Sequence, residues 1–255
     1  MSNNEVTIKK IFEVAENYRP LGRPIMTAVK EFDDAMDGGV RGGELITISG
    51  QTGAGKTSWA LWLTAKIEQS GIPTLWFTYE MNPWYLKEKL VSLGVKESAN
   101  IFVPIEHSDN TDDWVKNKIL EAKNKYACKV VFIDHLHYLI PPRQEQNSAL
   151  LIGGVARKIK TLAVETDTII YLIAHMRRLQ LGEKANIDAI RDSALVANES
   201  DYVYLVDRIK RKKKRTEDDP FLEDSTNISK VSLAKNRRTG KMFNSFFQGE
   251  KNNFK

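Results

Sequence analysis

A strand that runs directly into a glycine-punctuated loop and then a helix constrains this chain more than any other feature. Residues 45–57 read Leu-Ile-Thr-Ile-Ser-Gly-Gln-Thr-Gly-Ala-Gly-Lys-Thr. Leu45 to Ser49 form a buried-strand pattern, and Gly50, Gly55, Lys56 and Thr57 follow at the spacing of a phosphate-binding P-loop. Glycines let the backbone turn tightly with its N–H groups pointing inward. The stretch Gly50, Gln51, Thr52, Gly53, Ala54, Gly55, Lys56, Thr57 and Ser58 can therefore cradle phosphate oxygens at the positive end of a helix read over Ser58 to Gln69. Lys56 adds a mobile cation for the β- and γ-phosphates, and the Thr57 hydroxyl is placed to ligate Mg²⁺.

Around this loop, apolar strand runs and helical patterns alternate. Strands are expected at Pro73–Thr78, Ile101–Ile105, Val130–Asp134 and Thr168–Ala174, and helices at Trp84–Leu93, Asp112–Tyr126 and Ala149–Val164. The strands are continuous apolar runs, as burial on both faces of a parallel sheet requires. The fold class is therefore α/β, a mostly parallel sheet flanked by helices. After Tyr202 the rhythm changes. Tyr202–Val206 and Lys230–Ala234, joined by a long charged loop, and Met242–Phe247 predict antiparallel C-terminal strands. Upstream, Met26–Gly43 reads as a helix stopped by Gly38 and Gly39, then a tight turn into the first core strand. Residues 7–18 place Ile8, Ile11, Phe12 and Ala15 at helical spacing, ahead of a break at Pro20, Gly22 and Pro24. Residues 1–25 are thus expected to be an amphipathic helix and linker, packed on their own domain or on a neighbouring copy, and residues 26–255 to form a single ATPase domain.

The strand Val130–Ile133 ends in Asp134, a carboxylate at the edge where a Mg²⁺ can be held through water. The next residue is His135 rather than a glutamate, so a base for water must come from elsewhere. Glu80, at the end of the neighbouring strand, is the candidate; the alternative is a surface glutamate at a helix start. His135, His137 and His175 fall near the same edge, but zinc wants a further partner that the sequence does not supply.

Beyond the P-loop, Trp76-Phe-Thr-Tyr-Glu80-Met, Phe132-Ile-Asp134-His-Leu-His and Ile173-Ala-His175-Met-Arg-Arg resemble the RecA-fold motor domain of DnaB-type replicative helicases, closest to the phage and mitochondrial branch. The segment from Ile190 to Asp201 and the run Ala-Lys235-Asn-Arg237-Arg-Thr-Gly240 resemble its later motifs, so the likeness covers nearly the whole chain from Met26. The resemblance implies ATP and Mg²⁺ as cofactors, Glu80 as catalytic base, and His175 as the residue that senses the γ-phosphate and couples it to DNA-binding loops. It implies that Lys235 and Arg237 act on the ATP of a neighbouring subunit, with Arg237 as arginine finger, and that Arg208 and Phe247 sandwich the adenine. It further implies a homo-oligomeric, hexameric ring that translocates on single-stranded DNA and unwinds it during replication, with primase or another replication protein as a separate partner.

The loop 176–192 is too long for a simple connection, and Arg177, Arg178, Lys184 and Arg191 there, with Arg143 after Asp134, can meet DNA phosphates; solvated loop charge is the alternative. The net charge of +5 agrees with a polyanion partner without demanding one. The basic run Arg208–Arg215 is followed at once by Glu217, Asp218 and Asp219, the pattern of a solvated hairpin tip. Trp59 and Trp62 are read as packing against the sheet. With Cys128 the only cysteine and no apolar run approaching a membrane span, a reducing cytoplasm or another DNA-containing compartment, nucleoid or organelle matrix, is expected, with no membrane partner. Two rivals remain at this point: a RecA-fold DNA-dependent ATPase of recombination, repair or regulation without unwinding, and a nucleotide-gated binding module that does not hydrolyse.

Overall fold

The computed structural model describes Ile11 and residues 23–105, 112–139, 148–177, 183, 185–190, 194–212, 223–248 and 253–254. The helix expected over residues 7–18 lies outside the described residues apart from Ile11, which is helical and exposed.

Among the described residues, nine strands form one sheet: β1 (Leu45–Gly50), β2 (Thr74–Thr78), β3 (Ile101–Phe102), β4 (Val130–Asp134), β5 (Ile169–His175), β6 (Tyr202–Lys212), β7 (Glu223–Asn236), β8 (Phe243–Gln248) and β9 (Asn253–Phe254). Their spatial order is β3-β2-β4-β5-β1-β6-β7-β8-β9. The pairs from β3 to β6 are parallel, and those from β6 to β9 antiparallel. The helices are α1 (Lys30–Ala35), α2 (Lys56–Gln69), α3 (Pro83–Ser92), α4 (Asp112–Tyr126), α5 (Ser148–Thr166) and α6 (Ala194–Glu199).

Alternation along each central strand splits the core into two layers. Ile46, Ile48, Val130, Phe132 and Tyr171 face one layer with Phe32, Trp59 and Leu86 from α1, α2 and α3. Leu45, Val131, Ile133 and Leu172 face the other, with Ile119, Ile159 and Val196 from α4, α5 and α6. The continuous apolar runs exist because both faces are covered. Trp76, Phe132 and Tyr171 stack across three strands at 4.7 and 4.8 Å, and the Trp76 indole N–H donates to Thr64 Oγ1 at 3.0 Å. Trp59 and Trp62 are buried against this side, stacked on each other at 5.2 Å.

Three expectations need correction. The segment Met26–Gly43 is helical only over Lys30–Ala35, because an antiparallel bridge joins Ile25 to Val40 and Thr27 donates twice, from its N–H and its hydroxyl, to the Asp33 carboxylate. Burial pushes the Asp33 carboxyl up, and the Thr27 bonds oppose it. The strand expected over Ile101–Ile105 is two residues long; it is an edge strand, and Pro104 has no N–H to continue a ladder. In the C-terminal part, β6 and β7 run far past the expected apolar segments, so much of the supposed charged loop is ladder. There Lys212 is registered with Glu223 and Arg211 with Asp224.

Candidate nucleotide site

Register brings the site together. Gly50, the last residue of β1, pairs with His175, the last of β5. Asp134, the last residue of β4, pairs with Thr78, the last of β2, and Glu80 follows two residues on. Four strand ends thus deliver the P-loop, His175, Asp134 and Glu80 to one carboxyl edge, where parallel α/β sheets bind ligands.

The P-loop backbone needs its glycines. Gly55, the residue before α2, sits at φ 101°, and a Cβ on Gly50 would lie 2.2 Å from the Val206 carbonyl oxygen of β6. Ser229 of β7 donates to the Ala54 carbonyl at 2.8 Å and fixes the loop from the other side, a role no sequence signal announced. Lys56 is buried, and its ammonium donates to the carbonyls of Gly50 and Gln51 at 3.0 and 3.1 Å. Desolvation lowers its pKa, while Asp134 and Glu80 oppose that shift.

Asp134 is 2 % exposed. Its Oδ2 accepts from Thr57 Oγ1 at 3.3 Å, and its Oδ1 has no hydrogen-bond partner. A buried carboxylate with an unsatisfied oxygen beside a hydroxyl is a hard-oxygen donor set that fits Mg²⁺. Burial first, and the Glu80 charge second, push the Asp134 carboxyl up to about 6, against the Thr57 bond and the Lys56 charge.

Glu80 accepts from His175 Nε2 at 3.2 Å. His135 packs its ring 4.1 Å from that of His175, and its Nδ1 lies 3.2 Å from the Ile173 carbonyl. A carbonyl only accepts, so Nδ1 is the donor in this contact. Glu80, His135 and His175 each bring one ligand-type atom within 4.8 Å of the others. The sequence groups His135 and His175 but not Glu80 with them, since 55 residues and two strands separate Glu80 from His135 along the chain.

Arg208 of β6 lies over the loop, donating to the Gly53 carbonyl at 3.1 and 3.3 Å. With Thr52, Gly53, Gly55 to Ser58, Glu80, Asp134 and His175 it lines a polar cleft of about 240 Å³. A wider cleft of about 420 Å³ lies between α3 and β3, but its walls are mainly apolar and none of these groups reaches it. Phe247 requires a correction. It is in register with Ser229, which pairs with Arg208, but two strands away, about 10 Å across the sheet. Its ring is buried, edge-on to Trp59 and Trp62, so it closes the core and offers no face to an adenine.

Lys235 and Arg237 stand elsewhere. Asn236, between them, pairs with Tyr202, and Tyr202 with Ile46, four residues and about 13 Å before the P-loop end of β1. Both side chains reach the carboxyl end of α6: Lys235 Nζ donates to Ala197 and Asn198 carbonyls at 2.7 and 3.1 Å, and Arg237 to Asn198 at 2.5 Å and Asp201 Oδ1 at 3.1 Å. Desolvation, then the Arg237 charge, lowers the Lys235 pKa. Of the expected DNA contacts, Arg177 is half exposed and paired with Glu183, while Arg143, Arg178, Lys184 and Arg191 lie outside the described residues. No helix among the described residues is long and apolar enough to cross a membrane.

Sheet order, P-loop and buried carboxylate together define a RecA-like P-loop nucleoside triphosphatase. The sequence pattern of the DnaB-like helicase C terminal domain family matches residues 94–255, more than half of the chain, and the chain belongs to that family. DnaB-like helicases hydrolyse ATP, and this chain is an ATP-dependent DNA helicase motor of replication. Among solved structures, the ATPase domain of another protein is similar with a TM-score of 0.73 and 18% identity, covering 96% of this chain and 95% of that one. A DnaB-like replicative helicase, described with its interactions with primase, is similar with a TM-score of 0.73 and 18% identity, covering 99% of this chain and 68% of that one. At that identity both speak to the fold. No protein of curated function matches the chain.

Proposed function

We propose that this helicase motor works as a ring of identical chains, a hexamer, that translocates on single-stranded DNA and hydrolyses Mg²⁺·ATP at each boundary between subunits. The observation that carries this reading is the position of Lys235 and Arg237, about 13 Å along the strands from their own P-loop and at the opposite edge of the sheet. At that distance they do not reach their own nucleotide; released from Ala197, Asn198 and Asp201, they serve a neighbour's, as arginine fingers supplied in trans do.

Within one subunit, the loop amides of residues 50–58 and the Lys56 ammonium bind the phosphates. Thr57 and Asp134 hold Mg²⁺, which neutralises phosphate charge when bound. Glu80 orients the attacking water and takes up its proton, and His175, bonded to Glu80, senses the γ-phosphate. His175 is followed at once by Met176, which bridges to Ile190, and by Arg177, so a shift of His175 moves the base of the 176–192 loop. Arg177, Arg178, Lys184 and Arg191 there, with Arg143, track the DNA backbone. Arg208, already over the P-loop, covers the nucleotide. The part of residues 1–25 ahead of Ile25, which is itself bridged to Val40 and buried in the core, forms an arm that grips the next subunit, with Ile8, Ile11, Phe12 and Ala15 as its apolar stripe. A separate primase is a further partner, by analogy with the similar replicative helicase. The setting is cytoplasm, nucleoid or organelle matrix.

The test is to mix two inactive variants. Lys56→Ala keeps the finger but not the phosphate grip, and Arg237→Ala the reverse. Mixed rings contain boundaries with both parts intact, so DNA-stimulated turnover recovers well above either variant alone, in an assembly of ring mass by light scattering with ATP analogue and Mg²⁺. Two inactive variants that stay inactive when mixed, in assemblies of ring mass, would sink the reading.

A further inference from the structure

We propose that Glu80, His135 and His175 form a binding site for a divalent transition metal, with a donor set suited to Zn²⁺, and that its occupation stops ATP turnover. One ligand-type atom from each residue lies within 4.8 Å of the others. Two imidazoles and one carboxylate, with the remaining position left to water, is the donor set of open zinc sites. Bonds of about 2.0–2.1 Å in a tetrahedron bring ligand atoms to about 3.4 Å apart, so the group must close by roughly 1.4 Å at its widest. Glu80 can make that move. Its side chain is 38% exposed, whereas His135 is buried.

His135 is also oriented as a ligand is. The Ile173 carbonyl accepts from its Nδ1–H, which in the neutral imidazole puts the lone pair on Nε2 and fixes the ring from behind. The contact between His175 Nε2 and Glu80 holds a proton between the two groups when His175 is the donor, and metal entry displaces that proton to solvent. The hard-oxygen pair Thr57 and Asp134 suits Mg²⁺, while the two imidazoles favour a softer ion, so the two sites divide metals by ligand type. The consequence for turnover rests on the proposed role of Glu80: a carboxylate and an imidazole held on a metal can serve neither the water nor the γ-phosphate.

The site itself is tested without nucleotide. Co²⁺ added to the purified protein is expected to give the visible absorption of a tetrahedral centre with one ion per chain, abolished by Zn²⁺, lost in His135→Ala and retained in His137→Ala. His135→Gln, which keeps a polar group near Ile173, serves if the alanine variant does not fold. At buffered free Zn²⁺ and millimolar Mg²⁺·ATP, wild-type turnover is expected to fall at least tenfold and to return on chelation. His135→Gln should lose that sensitivity. Absence of the spectrum, or a spectrum unchanged in His135→Gln, would overturn the proposal whatever Glu80 does in catalysis. Binding without inhibition would overturn only its consequence for turnover.

Discussion

The two edges of the parallel part of the sheet carry contrasting charge clusters. At the amino end, Asp201 accepts from the Leu45 N–H at 2.8 Å, Lys160 Nζ at 2.6 Å and Arg237 at 3.1 Å. Nearby Arg238 donates to the carbonyls of Met36 and Gly39 and pairs with Glu44, which also accepts from the Tyr202 hydroxyl. At the carboxyl end, Asp134 is more deeply buried, 2 % exposed against 8 % for Asp201, yet it has one long bond from Thr57 and an oxygen with none. Saturated charge is structure, whereas under-satisfied buried charge is a cost maintained for a ligand. The sheet therefore ends in a charge-satisfied junction at its amino edge and a receptive site at its carboxyl edge.

Substituting one carboxylate at each end should separate the two. Glu80→Gln is expected to cut ATP turnover by about a hundredfold or more, with the melting temperature unchanged, because Glu80 is exposed and takes part in function rather than in packing. Asp201→Asn removes the negative charge facing Lys160 and Arg237. It should destabilise by about 3 kcal/mol, roughly 6–12 °C in Tm for a chain of this size. If Asp201→Asn melts like wild type, the amino edge is not the charge-satisfied junction described here.

The pH dependence sharpens the contrast. The Asp134 carboxyl has a folded pKa of about 6, above its ordinary 3.8, so the folded protein binds this proton more tightly than the unfolded chain does. Stability from this group is therefore highest below pH 3.8 and is lost as pH rises through 6, by up to about 3 kcal/mol. Asp134→Asn carries no such charge. Without Mg²⁺ and nucleotide, its stability relative to wild type should rise as pH goes from 4 to 7, and denaturant titrations at both pH values measure that difference. A gap that stays constant would mean that Asp134 is better solvated than its burial indicates.

Much of this contrast was legible in the sequence on one side only. The carboxyl end is written in contiguous motifs, since a P-loop and a strand ending in Asp134 each carry their geometry within a dozen residues. The span of α4 and of β4 could likewise be read to the residue, because apolar periodicity there ends at polar or charged boundaries. What was not legible depends on register. The meeting of Ser229 with Ala54, of Glu80 with His135, and of Asp201 with Lys160 joins residues 41 to 175 positions apart, and no local pattern encodes them. The helix read in the Met26–Gly43 segment is cut back to α1 by the Thr27–Asp33 bonds, a side-chain competition with helix that propensity does not see. Phe247 differs for a related reason: the family resemblance implied an adenine contact, while its ring packs edge-on against Trp59 and Trp62.

That last residue gives the finest test, because it is registered beside the receptive end but belongs by packing to the core. Phe247→Leu keeps an apolar side chain while removing the edge-on contacts with both tryptophans, each centred 6.0 to 6.2 Å away. The loss should be about 1–2 kcal/mol of stability. Since the ring is 2 % exposed, nucleotide has nothing to gain from it, and the KM for ATP should stay within about twofold. Arg208→Ala is the counterpart: it removes a half-exposed guanidinium that lies over Gly53 and should raise KM with little change in Tm. A Phe247→Leu variant that melts normally but binds ATP several times more weakly would return Phe247 to the nucleotide and move the boundary of the receptive end two strands outward.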